Sequence, residues 1–516
     1  MESSNSTTRK WWILTAMALG FTMTLIDATV VSVALSTIQR DLHLSGTERS
    51  WIVNAYLLAL AVTIAAAGKF GDVLGRKRVF LIGLAIFTIA SAICGLATDG
   101  TTLLLARAVE GIGSALMTPT SQALVSSAFP RNERGRALGI YSGISAMGIA
   151  LGPLLGGVLT TFLNWRWIFY VNLPIGVLTL LLTLYANPQE EYRSQTGHID
   201  WLGLVSLVCG LSAFIIALMQ GSIWGWDSTL FLFVFGAGLS MLVFFARIEW
   251  HLPQPLLDLR IFENRNFLGN NLVMFFVRFA LFGLSVYLPI FLQDVLNFSS
   301  FVAGLATLPA TLLLFLASPP AGKLYDKMGA RLLLTLGTGG TALSFLWLSL
   351  VAFPAQSYLL MLPALLLGGC GIACATGPAL TDAMNAAPLT MQGEAAGTLG
   401  TVQQVGGAVG VAVVSSIISS LTSSKLLQNL SALGIHMTGS QLDGVLAQAS
   451  VNKLPTWVTP QMISAAKDAF SYALSASYLL IVALLLIASV VSWVMIRWQK
   501  KSAKRKGEGT SIVVGG

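Results

Sequence analysis

The chain has 516 residues, of which 55% are hydrophobic and 10% charged, with a formal net charge of +8. Soluble domains carry about 25% charged residues, so this composition excludes one and indicates a chain built for a bilayer. The positive balance does not indicate nucleic acid, because Lys and Arg cluster in alternate loops rather than on one face.

Fourteen apolar runs follow one another, at about 11–35, 50–67, 79–97, 101–124, 138–160, 166–186, 200–220, 229–249, 267–292, 302–320, 332–352, 357–377, 397–420 and 471–496. Each is long enough for a spanning helix. None alternates in polarity as a barrel strand must, so the fold class is all-α membrane protein. With both termini on the cytoplasmic side, most basic residues fall in inner loops, which predicts a multi-pass protein of the cell (inner) membrane. The first run is longer than a signal segment and lacks a cleavage site, so it is read as a retained span.

In chain order, the first charged intruder is Asp27, in the outer half of span one. The turn after span two reads Gly68-Lys-Phe-Gly-Asp72-Val-Leu-Gly75-Arg76-Lys77-Arg78, glycines for a tight turn and Asp72 to cap a helix or pair with an arginine. Span four carries Arg107 and Glu110, three residues apart and so on one helix face. A charge near the bilayer centre costs at least about 2.5 kcal/mol, so such residues face a protein interior or a wet cavity. Their depths allow Asp27, Arg107 and Glu110 to meet. Span five carries Gly139, Gly148, Gly152, Pro153, Gly156 and Gly157; Gly148, Gly152 and Gly156 form a flat stripe for close helix contact, and Pro153 predicts a bend.

Two further spans, in which no buried charge is expected, follow a polar linker at 187–199. Arg278 then lies near mid-bilayer, where three readings stay open: it binds an anionic group, repels a proton, or pairs with a carbonyl or carboxylate. The inner-turn pattern recurs as Gly322-Lys-Leu-Tyr-Asp326-Lys-Met-Gly329, offset by 254 residues, which implies two homologous halves. Gln403 and Gln404 are polar candidates in span thirteen, and in the outer segment beyond it 441–450 and 461–470 have a helical pattern, the latter with Thr459 as cap and Pro460 in the first turn. All four histidines fall in loops, the four cysteines lack metal spacing, and no phosphate loop or nucleophile–base pair is present. An enzyme and a bound cofactor are therefore not expected, and energy must come from an ion gradient or from the substrate itself.

These motifs resemble the major facilitator superfamily, and specifically its fourteen-span drug:proton antiporters of EmrB/QacA type. Gly68 to Arg78 resembles the inner gating motif, to which Asp326 contributes in the repeat. Arg107 to Ala115 resembles the span-four proton-transfer motif, and Gly139 to Gly157 the antiporter motif. Leu25 to Leu35 and Trp165-Arg-Trp-Ile-Phe169-Tyr-Val-Asn172-Leu-Pro174-Ile-Gly176 resemble two further hallmarks. Departures are Ser32 and Ser36 in span one, Glu110 where glutamine is frequent, and Val73 in place of an arginine, which leaves Arg134 or Arg136 as alternative partners for Asp72.

The resemblance implies a major facilitator fold with a six-helix bundle over 1–186, linkers and two extra spans over 187–266, a second six-helix bundle over 267–496 with a long outer loop at 421–470, and a basic cytoplasmic tail at 497–516. It implies proton-coupled efflux of lipophilic, often cationic, compounds. In that picture Asp27 and Glu110 hold either a proton or the passenger beside Arg107, with Arg278 a further contact. Met23, Trp51, Tyr56 and Met117 would supply apolar walls. Partners are then small lipophilic molecules, protons and lipid, with a periplasmic adaptor protein a candidate. Rival readings are a dedicated exporter of a lipid, siderophore or acidic metabolite, and a membrane sensor that transports nothing.

Overall fold

In hydrocarbon a backbone must bond to itself, and every apolar run of this chain does so as helix. The computed structural model describes residues 2–188, 200–252, 255–353, 357–433, 435 and 459–497. Among these are fourteen helices of at least 15 residues and no strand. They are α1 (Glu2–Asp41), α2 (Gly46–Leu74), α3 (Arg76–Leu96), α4 (Gly100–Ala128), α5 (Arg134–Phe162), α6 (Asn172–Ala186), α7 (Trp201–Trp224), α8 (Thr229–His251), α9 (Arg265–Ile290), α10 (Ser300–Met328), α11 (Ala330–Val351), α12 (Tyr358–Ala386), α13 (Gln392–Ala432) and α14 (Pro460–Met495). By length and apolarity 13 helical segments are able to cross a membrane. The exception is α4, whose Arg107, Glu110 and many Ser and Thr residues lower its hydropathy; it is held in the middle of its neighbours instead, with Ser114, Thr120, Ser121 and Ser126 buried.

Polar caps set where several helices begin. Ser45 and Glu48 form a reciprocal capping box at α2, and Asp99, Asp200, Ser228, Ser299, Ser357 and Thr459 cap α4, α7, α8, α10, α12 and α14. Helices α1 to α6 pack mainly among themselves, α4 lying against α2 and α3, and α5 and α6 against α1. Helices α9 to α14 do the same, α11 lying against α12 and α14, and α13 against α9 and α14. Two seams join the groups, α2 against α13 and α5 against α10. The pair α7 and α8 packs together, and α7 also lies on α2 and α13.

The outer segment at 421–470 is largely helical where described: α13 runs on to Ala432, further than its apolar run, and α14 starts at Pro460 with Thr459 as its cap, as expected from sequence. The extensions are held by a small core of Leu426, Leu430, Met462, Ala465 and Ala469 and by Thr459, whose hydroxyl accepts from Met462 N at 3.3 Å. α5 is helical through Pro153. The two extra spans are more than a linker, since α7 touches both groups. The helical pattern expected at 441–450, the linker 189–199 and the tail beyond 497 lie outside the described residues.

The Trp165-Arg166 motif ties down the far end of α1. The Trp165 indole and the Arg166 guanidinium donate to Asp41 Oδ2 at 2.8 and 3.0 Å. The indole hydrogen bond and then the guanidinium hold the Asp41 carboxyl below its ordinary value. A depressed folded value contributes stability above the unfolded value and loses it as pH falls through the folded one. Asp41→Asn should therefore lower the melting temperature at pH 7 by about 1 °C, the pair being half exposed, and this difference should vanish well below pH 4, as thermal unfolding at stepped pH would reveal.

Candidate functional site

Asp27, Arg107 and Glu110 do meet. Arg107 Nη1 donates to Asp27 Oδ2 at 2.5 Å and to Glu110 Oε2 at 2.8 Å, and the three side chains are at most 1% exposed. Arg107 Nε also reaches Ile52 O at 3.4 Å. The second Asp27 oxygen accepts from Asn172 Nδ2 at 3.1 Å, and Asn172 also donates to Ser91 Oγ at 2.9 Å. Cys94 Sγ lies 3.5 Å from Glu110 Oε2, while Glu110 Oε1 is buried with no hydrogen-bond partner. The site thus holds two carboxyls against one guanidinium. With both carboxyls ionised it carries one net negative charge in a sealed interior, and a single proton makes it neutral.

Chain order revealed Arg107 and Glu110 through their spacing. Asn172, Ser91 and Cys94 come from α3 and α6; Asn172 lies inside the Trp165–Gly176 motif, which was the available signal. Tyr56, expected only as apolar wall, also touches the triad. Its ring covers the Arg107 guanidinium at 4.3 Å, and its hydroxyl lies 3.2 Å from Thr24 O and 3.0 Å from Ser114 Oγ.

A cavity of about 1590 Å³ lies between the two helix groups. Its wall runs from Ile64, Tyr141 and Leu380 to Ser32, Phe162 and Gln293, toward the helix ends remote from Asp72. Tyr56, Thr24 and Ser114 line it, whereas Asp27, Arg107 and Glu110 do not. This corrects the expectation that passenger and proton compete for the same carboxylate atoms: Tyr56 stands between them. Of the four residues expected as apolar wall, only Tyr56 lines the cavity; Met23 and Met117 are fully buried. Arg278 is not part of the triad. It faces the cavity from α9, its Nε donating to Gln403 Oε1 at 2.8 Å, with Gln404 nearby on the same wall.

At the other end the two seams are closed by one device used twice. Asp72 accepts from Gly393 N at 3.0 Å and Glu394 N at 2.8 Å, capping the start of α13. Asp326, its repeat partner, accepts from Gly135 N and Arg136 N, each at 2.9 Å, capping α5. Gly68 and Gly322 allow this approach, since an added Cβ would stand 2.2 Å from Gly393 O and 2.0 Å from Gly135 O. Gly75 and Gly329 turn the chain at φ 106° and 79°, a region that favours glycine. The copies differ in one respect. Arg76 donates to Asp72 from Nε at 2.9 Å and Nη2 at 2.7 Å, and also to Leu389 O, whereas among the described residues Asp326 has no such arginine. Asp72 thus pairs with Arg76 and not with Arg134 or Arg136; Arg134 donates instead to Asn385 Oδ1 and Phe129 O. Lys77 stands outside the latch and donates to Asn187 Oδ1 at 2.6 Å.

The glycine-rich helix α5 uses its stripe in two directions. A Cβ on Gly148 would meet Thr22 O at 2.9 Å, and one on Gly152 the Thr29 hydroxyl at 1.8 Å, so these glycines seat α5 on α1. Gly156 is buried, Gly157 opens onto the cavity with nothing within 4 Å, and Gly139 faces Ser318 O of α10.

Against known proteins, the family model described as Major Facilitator Superfamily matches residues 17–411. The puromycin resistance protein pur8 of Streptomyces alboniger is 35% identical over 422 residues, covering 81% of this chain and 84% of that protein. The multidrug resistance protein Stp of Mycobacterium tuberculosis is 34% identical over 418 residues, covering 81% and 77%. The solved structure of the proton:xylose symporter XylE superposes with a TM-score of 0.63 at 16% identity over 96% of this chain and 97% of that one, a likeness of fold alone.

Proposed function

This chain belongs to the Major Facilitator Superfamily, and from that premise we propose that it is a proton-coupled efflux antiporter for lipophilic small molecules. In this reading it is a fourteen-span member, residues 1–186 and 267–496 are the two rocking bundles, and 187–266 carries the inserted pair. Both termini lie in the cytoplasm. The names of its relatives, a puromycin resistance protein and a multidrug resistance protein, support drug export. The proton gradient is the energy source, with no other cofactor.

One observation carries the coupling: a sealed site of two carboxyls and one guanidinium, one layer behind a cavity wall. Burying an uncompensated charge is costly, so the site takes up a proton whenever its surroundings dry out and releases it when water or a second cation reaches it. The proton changes how firmly Arg107 is held between Asp27 and Glu110. Arg107 lies under the Tyr56 ring, so a shift of the guanidinium moves the cavity wall. Coupling is therefore indirect: the proton competes with Arg107, and the passenger reads the position of Tyr56. Breaking the Asp72 and Asp326 caps opens the basic end while the outer end closes, giving alternating access.

The test uses purified full-length protein in liposomes holding a pH indicator. With a panel of cationic, neutral and anionic lipophilic dyes, at least one dye should move against its gradient. Protons should flow the opposite way, and a protonophore should abolish both. Dye movement that ignores the protonophore, or no movement of any dye, would refute the exchange.

A further inference from the structure

We infer that the cavity selects amphipathic organic acids: an anionic group seated on Arg278, with an apolar body against the surrounding wall. This rests on the export reading and goes beyond it by naming the substrate class. The described residues lining the cavity include one charged side chain, Arg278, and no Asp, Glu, Lys or His. Its Nε is taken by Gln403 Oε1, which fixes the plane of the guanidinium. Among the described residues no carbonyl or carboxylate accepts from its Nη nitrogens. Phe282, Met274, Leu281 and Leu284 supply apolar surface around it. A guanidinium in an apolar setting binds carboxylate or sulfonate through two parallel hydrogen bonds, the geometry that its planar fork favours.

The triad does not reverse this sign. Its carboxyls have at most 0% exposure, and what stands behind the Tyr56 ring is the Arg107 guanidinium, 4.3 Å from the ring centre. The buried site, whose net charge is zero or minus one, is thus screened from the cavity by the ring, and among the described lining residues Arg278 is the charge that a passenger meets directly. An anionic end group is favoured there, against the cation preference expected from sequence. Thr24, Ser114, Gln403 and Gln404 add neutral donors and acceptors that suit the remaining polar groups of an organic acid.

The experiment compares 1-pyrenebutyrate with 1-pyrenebutylamine, which share one aromatic body and differ in the sign of the end group. Both are titrated against the full-length protein in phosphatidylcholine nanodiscs, with protein-free discs subtracted. Wild type should bind the acid about tenfold or more tightly than the amine. Arg278→Gln should erase that ratio, and Arg278→Lys should restore part of it. Gln403→Leu, which frees the guanidinium plane but keeps the charge, should reduce affinity for the acid less than Arg278→Gln does. Equal or tighter binding of the amine, binding of neither probe, or an acid preference untouched by Arg278→Gln would each overturn the proposal. Adding phosphatidylglycerol separates the sources of the anion: competition with the acid in wild type, absent in Arg278→Gln, assigns the site to a lipid headgroup as well as to free acids. Lost acid preference with intact proton-linked export would leave the pump reading standing; the reverse result would leave the acid site standing.

Discussion

Glu110→Gln should yield a folded, membrane-inserted protein whose export no longer responds to a proton gradient. The substitution removes one of two carboxyls and leaves Arg107 matched by Asp27 alone, a pair that is neutral without any proton. Gradient-driven export should fall by about tenfold or more, while passive exchange of dye across the same protein continues. The pH profile of export should flatten, because the exchanging group is gone. Asp27→Asn makes the same change of charge but also replaces the acceptor of Asn172 Nδ2 and Arg107 Nη1, so it should lose coupling and some thermal stability together. Arg107→Gln behaves differently. It leaves two buried carboxyls facing each other, and breaking a buried pair this way costs about 3–5 kcal/mol, so that variant should reach the membrane poorly. Proton-coupled export at the wild-type rate in both carboxyl variants would remove the triad from the mechanism.

The two repeat-related caps should not be equivalent. Asp72→Ala strips four donated hydrogen bonds, two of them across the α2–α13 seam and two from Arg76, which is left buried without its carboxylate. Asp326→Ala strips two backbone bonds from the α5–α10 seam and leaves no buried charge behind. The first loss is of order 3–5 kcal/mol and the second about 1 kcal/mol. About 5.5 kcal/mol carries a two-state equilibrium from 99:1 to 1:99 and about half of that equalises it, so Asp72→Ala alone carries such an equilibrium past its midpoint toward the open basic end. Export should fall about tenfold or more in Asp72→Ala and at most about fivefold in Asp326→Ala, since each 1.4 kcal/mol is a decade. A cysteine introduced at Thr118, on the cavity wall, should then react with a label applied from the basic side in the first variant and not in the second. Equal losses in both would mean that Arg76 adds nothing to closure.

How much of this was legible in the chain depends on the kind of information each feature needs. The helices were, because a span must hide its backbone and so writes itself as an apolar run. The repeat was, because Gly68, Asp72 and Gly75 recur as Gly322, Asp326 and Gly329, and the same spacing does the same geometric work in both places. Arg107 and Glu110 were legible from their spacing, and Asp27 from its depth. What depth does not give is direction around the helix axis. Asp27 and Glu110 therefore read as cavity residues, although they point into the first bundle and Tyr56 takes the wall. Asn172 and Ser91 were silent for a related reason: Asn172 lies 145 residues from Asp27 and 81 from Ser91, and neither looks unusual in its own helix. The start of α14 was legible in Thr459 and Pro460, whereas the extension of α13 to Ala432 was hidden because a short amphipathic segment outside the bilayer has no long apolar run.

The position of α7 has a consequence for how a greasy passenger arrives. Ile215, Leu218, Met219 of α7 and the neighbouring Trp226 form part of the cavity wall, and the helix covers the line where α2 meets α13. Among the described residues the matching line between α5 and α10 has no inserted helix laid along it, and Val158 of α5 and Leu312 of α10 are 54% and 56% exposed. On the export reading, a molecule dissolved in the acyl chains would meet one flank of the vestibule covered and the other open, and lateral loading from lipid would be one-sided.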